Sequence, residues 1–521
     1  MLHPSAAKWF HNRRALLVMI CTLIVSATTI GRAEMGLVAF SIVDEDSSPL
    51  PCRIHLTDAA GEFPKLRSSG LPVWRDHLVC PGSVTLELPS GDYQFHIERG
   101  PEFERLQGSF SCREMTETNL SFRLKRIADL ASQGWHSGDL HVHRPLDDIE
   151  LLMRAEDLHV APVITWWTNR NLWEQRNPPA DLIVQFDTNR YYHVMAGEDE
   201  REGGALMFFN MQRPLAITEA GREFPSPMQF VTQARRQPGA WIDVEKPFWW
   251  DVPVWLASGE INSIGLANNH MCRSTMYETE AWGKPRDQDR LPAPRGNGYW
   301  TQEIYYHILN CGLRVPPSAG SASGVLPNPV GYNRVYVQTG DVFDYETWWN
   351  GLKAGRSFVT NGPLLLATAD GHPPGHVFNV DRDHPIEIEL IASLKSNDEI
   401  SAIEVIKNGE VHRSIRVSDK AHEGPLGTIR FEQSGWFLLR AITDEQRTFR
   451  FASTAPYYVE IGASPSRISR RSAQFFLDWV EERIARVPRR LQERSNLDKV
   501  LQPHLQARAF WQDVRDQANA E

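Results

Sequence analysis

In the stretch SVTLELPSGDYQFHIERG, Val84, Leu86 and Leu88 alternate with polar residues. Pro89-Ser90-Gly91-Asp92 interrupts, and Tyr93, Phe95 and Ile97 then alternate again. Period-two alternation on both sides of a turn predicts a β-hairpin with one buried face. With GLVAFSIVDED upstream, residues 34–128 read as strands. From about residue 129 the period changes. Strand candidates recur at VAPVITWW, YYHVMAG, ALMFFN, AWIDVE, INSIGLAN and NRVYV. Helical stretches separate them: in LDDIELLMRAEDLHV, Ile149, Leu152 and Met153 share a face, and PMQFVTQARR and WTQEIYYHILNCG are read as helices too. Strand and helix alternating over residues 129–364 predict an α/β fold, either a parallel barrel or a doubly wound sheet.

Beyond residue 365 the pattern returns to strands. PIEIELIA alternates, Asn408-Gly409 in AIEVIKNGEVHRSI marks a tight hairpin, and GWFLLRAITD offers another strand. Residues 365–465 therefore read as a second β-domain. In residues 466–521, Phe475, Phe476, Trp479, Val480 and Ile484 form an apolar stripe on an amphipathic helix, expected to dock on the chain itself or on a partner helix.

Composition narrows the partners. Hydrophobic residues at 41%, charged residues at 23% and a net charge of −10 describe a globular protein whose acidic surface does not attract nucleic acid or anionic lipid. Lys8, Arg13 and Arg14 precede an apolar run from Ala15 to Ile30 and the small-residue site Gly31-Arg32-Ala33. Residues 1–33 thus read as a signal peptide, with the mature chain secreted or periplasmic and no membrane partner after cleavage. An uncleaved anchor and a twin-arginine signal are the alternatives. Removal of Cys21 leaves Cys52, Cys80, Cys112, Cys272 and Cys311, an odd number, with one disulfide conceivable among the first three.

The candidate chemistry gathers at strand ends, where the reactive residues of either α/β architecture sit. GWHSGDLHVHRP places His141 and His143 two residues apart at the end of a strand, so both imidazoles face one way and can share an ion. Glu198 and Asp199 follow YYHVMAG, Asp243, Glu245 and Lys246 end AWIDVEK, and Asn268, Asn269 and His270 end INSIGLANNH. Trp135, Trp166, Trp167, Trp249, Trp250 and Trp255 cluster near the same ends, either filling a wide barrel mouth or offering faces to a sugar ring.

GDLHVH resembles the opening motif of the PHP (polymerase and histidinol phosphatase) superfamily and is most similar to its CehA/McbA-like branch, while GLKAGRSFVTNGPLL is similar to that branch's closing segment. Residues 34–128 resemble a β-sandwich of the carboxypeptidase-regulatory type, a domain that usually supports a neighbour. The resemblance implies a distorted β/α barrel over residues 129–364, flanked by the N-terminal β-sandwich and by a C-terminal β-domain with a helical tail. It implies metal-dependent hydrolysis of phosphoester, ester or amide bonds, with His141, His143 and Glu198 as ligands. The chain departs from the family pattern elsewhere. Thr165-Trp166-Trp167 stands where relatives carry Thr-Asp-His, Lys246-Pro247 where they carry His-Pro, and Gly320-Ser321-Ala322-Ser323-Gly324 where they carry a ligand-bearing Gly-Ser-Asp-x-His.

Three retained ligands fit one divalent ion (Zn, Mn or Fe) with open positions, not a trinuclear cluster. On this reading His270 and Asp243 assist proton transfer, and Lys246, Arg144, Trp166, Trp167 and Asn269 contact a small-molecule or glycan ligand. Lys246 is diagnostic: beside a bound ion its ammonium should point away or pair with an acid such as Asp243 or Glu245, whereas contact with Glu198 would mean that it replaces the ion. The alternative is a catalytically inactive PHP-shaped binding module, possible for glycans. A carboxylate-pair glycosidase using Glu198 with Asp243 or Glu245 rests on residue type alone.

Overall fold

The computed structural model describes residues 35–66, 70–380, 384–418, 420–462 and 466–521, so the expectation for residues 1–33 falls outside them. In the strand Met35–Val43 every second side chain is buried, including Val38, Phe40 and Ile42. It pairs antiparallel with Ser83–Pro89 and parallel with Glu117–Arg123. A second, five-stranded sheet runs Val73–Trp74, His77–Cys80, Cys52–Asp58, Gly91–Glu98, Leu106–Cys112. Phe40, Leu86 and Leu88 of one sheet share a core with Ile54, Phe95 and Ile97 of the other. The hairpin expected at residues 83–98 does not form, because its two strands belong to different sheets. Alternation on both sides of Ser90 reflects one core shared by two layers, and the turn is a corner between them.

The central layer is a mixed sheet. Val160–Trp167 runs parallel to Arg190–Arg201, and Trp241–Val244, Ser263–Ala267 and Pro317–Ala319 continue in parallel. Between these runs, Gly204–Phe209 pairs antiparallel on both sides. Only Glu202 and Gly203 link it to the preceding strand, and so short a link can reverse the chain but cannot cross over. Trp135–Gly138 pairs with Arg334–Gln338, and Gly138 pairs with Val160. The hydrogen-bonded strand order of this large sheet closes on itself. Helices Ile149–Ala155, Pro227–Ala234, Val252–Ala257, Gly296–Asn310 and Tyr345–Lys353 occupy the connections.

Ser357–Thr360 carries the large sheet into the C-terminal strands by pairing with Phe451–Thr454. There, Leu365, Leu390 and Ile429 of a three-stranded sheet pack against Ile403, Leu439 and Val459. The Asn408-Gly409 hairpin forms as expected, with both residues at positive φ (50° and 94°), the geometry a two-residue turn requires. Helices Arg470–Arg490 and Leu497–Asp516 stack Phe476 on Trp511 with ring centroids 4.5 Å apart. The tail docks on its own chain: buried Arg483 donates to Asp251 at 2.6 Å and to Glu223 at 2.6 Å, and His504 Nε2 lies 3.1 Å from Asp251. Among the described residues no helix is long and apolar enough to cross a membrane.

Candidate metal centre

Residues 139–143 run extended past the end of Trp135–Gly138, clamped between two segments. Asp139 N–H donates to Val160 O (3.1 Å) and Leu140 N–H to Ala319 O (3.0 Å). Val142 O accepts from Ile164 N–H (2.8 Å), and His143 N–H donates to Ser323 O (2.8 Å). The Asp139 carboxylate, fully buried, fastens this arrangement by accepting the N–H groups of His141 (3.0 Å), Ser321 (3.0 Å) and Gly331 (2.6 Å). Gly320 and Gly324 permit the close approach. A Cβ on Gly320 would fall 2.4 Å from His141 Cβ, and one on Gly324, at φ +100°, would fall 2.7 Å from His143 O.

His141 and His143 bring their Nε2 atoms to 3.0 Å of each other. Glu198 enters from the neighbouring strand, in register with Trp167, and its Oε2 lies 3.2 Å from His143 Nε2 and 3.6 Å from His141 Nε2. Ligand atoms about 2.1 Å from a tetrahedral ion stand roughly 3.4 Å apart, so this triangle fits one ion. The opposite nitrogen of His141, Nδ1, lies 3.5 Å from Glu245 Oε1. A carboxylate behind a histidine fixes the tautomer that leaves Nε2 free to ligate. Glu245 is itself held by Lys246 Nζ at 2.6 Å and Trp249 Nε1 at 2.9 Å. Lys246 thus turns to Glu245, with its ammonium 4.6 Å from the centre of the Trp249 ring.

The local field favours a cation. Burial disfavours the charged form of His141, but Glu198 and then Glu245 outweigh it and hold its pKa up to about 10. Burial would raise Glu245; Lys246 and His141 instead bring it down to about 2. Glu200, two residues from Glu198, is pushed up to about 7 by burial and by the Glu198 charge.

A second group, His55, Asp76 and His77, also places its ligand atoms within 4.8 Å of one another. Its hydrogen bonding argues otherwise. Arg53 Nε donates to His55 Nε2 at 2.8 Å, which puts the ring proton on Nδ1, 3.1 Å from Asp76 Oδ2. His77 Nδ1 takes the other oxygen at 3.0 Å. Burial, with Arg273 next, drives His55 down to about 3, and burial, with Arg53 and Arg144 adding their charge, drives His77 down to about 4. Asp76 is already shared by two imidazoles, and arginines surround the group.

Beside His143 opens a cleft of about 180 Å³ lined by Arg144, Thr165, Trp167, Arg170 and Arg176 among others. The Trp167 ring lies 4.4 Å from that of His143. Arg144 is buried against the N-terminal sheet, its guanidinium 5.4 Å from the Trp74 ring and 3.6 Å from Asp148, while Arg170 and Arg176 are exposed.

The remaining candidates are bound up elsewhere. Asp243 accepts the hydroxyls of Ser263 and Ser318, each at 2.5 Å, and burial pushes its pKa up to about 7. His270 Nδ1 bonds Thr279 O at 3.0 Å between Phe248 and Tyr277, and burial, with Lys246 next, lowers it to about 3. Asn269 presents its backbone oxygen to Cys272 and Asn328, leaving its own buried Oδ1 unbonded. Trp166 is core, packed on Gly197 and stacked with Phe208. Trp135, Trp249, Trp250 and Trp255 are core too, so of the tryptophans singled out only Trp167 keeps partial exposure. Sequence reasoning gave no role to Asp139 or to Arg170 and Arg176. The carboxylate before His-x-His was the available signal for Asp139, and nothing in the sequence brings Arg170 to the same cleft as His143.

No protein-family profile matches the chain, and no curated protein matches it. Among solved structures it is similar to the minor pilin GBS52 of Streptococcus agalactiae (17% identity over 18% of this chain and 46% of that one, TM-score 0.16). It is also similar to phospholipase PlaB from Legionella pneumophila (12% identity, 18% and 25% covered, TM-score 0.14). A third likeness is to the TIE protein of Bacillus anthracis (7% identity, 83% and 51% covered, TM-score 0.14). The chain spans about half or less of each of these proteins, at TM-scores too low to carry fold or function.

Proposed function

We propose that the chain is a metal-dependent hydrolase of the PHP kind, related to the CehA/McbA-like branch, with a site reduced to one divalent ion held by His141, His143 and Glu198. One observation carries this reading. Two imidazole nitrogens and a carboxylate oxygen converge, with Glu245 behind His141, and one of the ligands, His143, lines a cleft that also carries Arg144, Arg170 and Arg176. The orientation of Lys246 supports it, since the ammonium pairs with Glu245 at 2.6 Å. The course of residues 320–324 beside His141 and His143 supports the likeness as well, because the sequence resemblance sets that stretch against the family's Gly-Ser-Asp-x-His motif.

A bound divalent ion polarises a carbonyl or phosphoryl oxygen and acidifies water. The chain's own residues do the rest. Glu245 fixes the His141 tautomer, Asp139 holds the backbone of the pair, and Trp167 walls His143 from solvent. Arg144, Arg170 and Arg176 attract an anionic substrate, so a phosphoester or a carboxylate-bearing ester or amide fits the cleft better than a neutral glycan. The apolar run of residues 15–30 supports export, with the chain working outside the cytoplasm.

The test is elemental analysis of the purified chain beside hydrolysis of p-nitrophenyl phosphate and p-nitrophenyl acetate, each with and without added Zn, Mn or Fe. Near-stoichiometric metal with metal-dependent turnover is expected. Absence of metal after incubation with each ion would overturn the reading and leave a binding module.

A further inference from the structure

Cys52 and Cys80 are cross-strand neighbours in the N-terminal five-stranded sheet, directly opposite in register, with their Sγ atoms 3.9 Å apart. Both are 0% exposed and face the core shared by the two N-terminal sheets. Opposed residues of an antiparallel pair have Cα atoms about 4.5–5.5 Å apart, inside the disulfide range of about 4.4–6.8 Å. Rotation about the two Cα–Cβ bonds is then enough to bring the sulfurs to bonding distance, with no movement of the strands. Prolines and tight packing hold both backbones. Cys52 follows Pro49-Leu50-Pro51, and Cys80 precedes Pro81-Gly82, where a Cβ on Gly82 would fall 2.7 Å from Leu50 N.

The other described cysteines have no such neighbour. Cys112 ends a strand two places away from Cys52–Asp58 across the sheet, about 10 Å at the usual strand spacing, and its Sγ faces Leu88 O. Cys272 points to Asn269 O, and Cys311 caps the helix Gly296–Asn310 far along the chain.

We infer that Cys52 and Cys80 are the site of a structural disulfide, formed as the N-terminal sandwich folds in an oxidising compartment. The oxidant is a disulfide of the glutathione class. The thiolate of one cysteine attacks an oxidant sulfur, breaking its S–S bond and releasing one thiolate. The second cysteine's thiolate then attacks the mixed disulfide, forming the Cys52–Cys80 bond and releasing the other. Two protein thiols are oxidised, the oxidant is reduced to two thiols, and the two protons go to them. Because the pair is buried, closure belongs to folding rather than to the finished surface. This inference does not depend on the hydrolase reading.

The experiment is to refold the full chain in a reduced and oxidised glutathione mixture, alkylate remaining thiols and map the cross-links by mass spectrometry. A Cys52–Cys80 peptide pair is expected, with Cys112, Cys272 and Cys311 alkylated. Reduction should lower the first melting transition by roughly 5 °C in wild type and leave it unmoved in the Cys52→Ser, Cys80→Ser double variant. A folded wild type in which Cys52 and Cys80 remain alkylatable, carry separate glutathiones or pair with another cysteine would overturn the inference, whatever the double variant does.

Discussion

Two clusters in this protein each gather two histidines and one carboxylate, yet their surroundings carry opposite charge. In both, two histidines and a carboxylate meet within 4.8 Å. At His141, His143 and Glu198 the second acid, Glu245, stands behind an imidazole, and His141 rises to about 10. At His55, Asp76 and His77 an arginine donates into the ring from behind, and the two histidines fall to about 3 and 4. What stands behind the ligand decides which nitrogen is free and what charge the cluster welcomes. Convergence of donors is necessary for an ion site, and the surrounding charges set whether a cation is favoured there.

The comparison breaks most directly at the ligands themselves. His143→Ala should abolish stoichiometric metal, a loss of at least about 100-fold in affinity, the upper end of what loss of a mere supporting partner costs, whereas His55→Ala should leave metal content unchanged. Elemental analysis of both variants checks this, and metal lost equally from the two would end the distinction. Next in size is Glu245→Gln. Removing the acid behind His141 should weaken metal binding by about 10–100-fold. It also strands the buried Lys246 ammonium, so the variant should lose about 3–5 kcal/mol in urea unfolding, with part restored by adding Lys246→Met.

Acid should separate the clusters as well. His55 and His77 have folded pKa values below the ordinary value for histidine, so the unfolded chain takes up their protons first as pH falls. Their contribution to stability is present above about 6.5 and is lost as pH falls from there through about 4 for His77 and about 3 for His55. Replacing both by glutamine should flatten that fall by about 2–4 kcal/mol; denaturation midpoints with the same pH slope as wild type would contradict the assignment. The smallest effect is expected at the cleft rim, where Arg176 is exposed. Arg176→Ala should weaken inorganic phosphate binding to the metal-loaded protein by roughly 2–5-fold, and titration calorimetry showing no change would confine anion recognition to Arg144 and Arg170.

His-x-His on a strand end carries its own geometry: side chains two apart on extended backbone share a face, so the pair at 141 and 143 was legible in the sequence. The Asn408-Gly409 turn and the tail's apolar stripe were legible for the same reason, since local spacing sets them. The pairing of strands was not. Ser83–Pro89 and Gly91–Glu98 alternate as a hairpin would, and only packing assigns them to separate sheets. The two-residue link at Glu202-Gly203 turned an expected parallel layer into a mixed one.

The sequence by itself determined the local devices of this protein: strand and helix periods, the two-residue turn, the paired imidazoles and the acids that follow strand ends. Tertiary structure alone decided which acids matter. Asp243, Glu245 and Glu198 are alike as residue types, but Asp243 is committed to two serines, Glu245 to His141 and Lys246, and Glu198 to the open edge of both imidazoles. Charge and tautomer depend on contacts between segments far apart in the chain, and no local spacing encodes them.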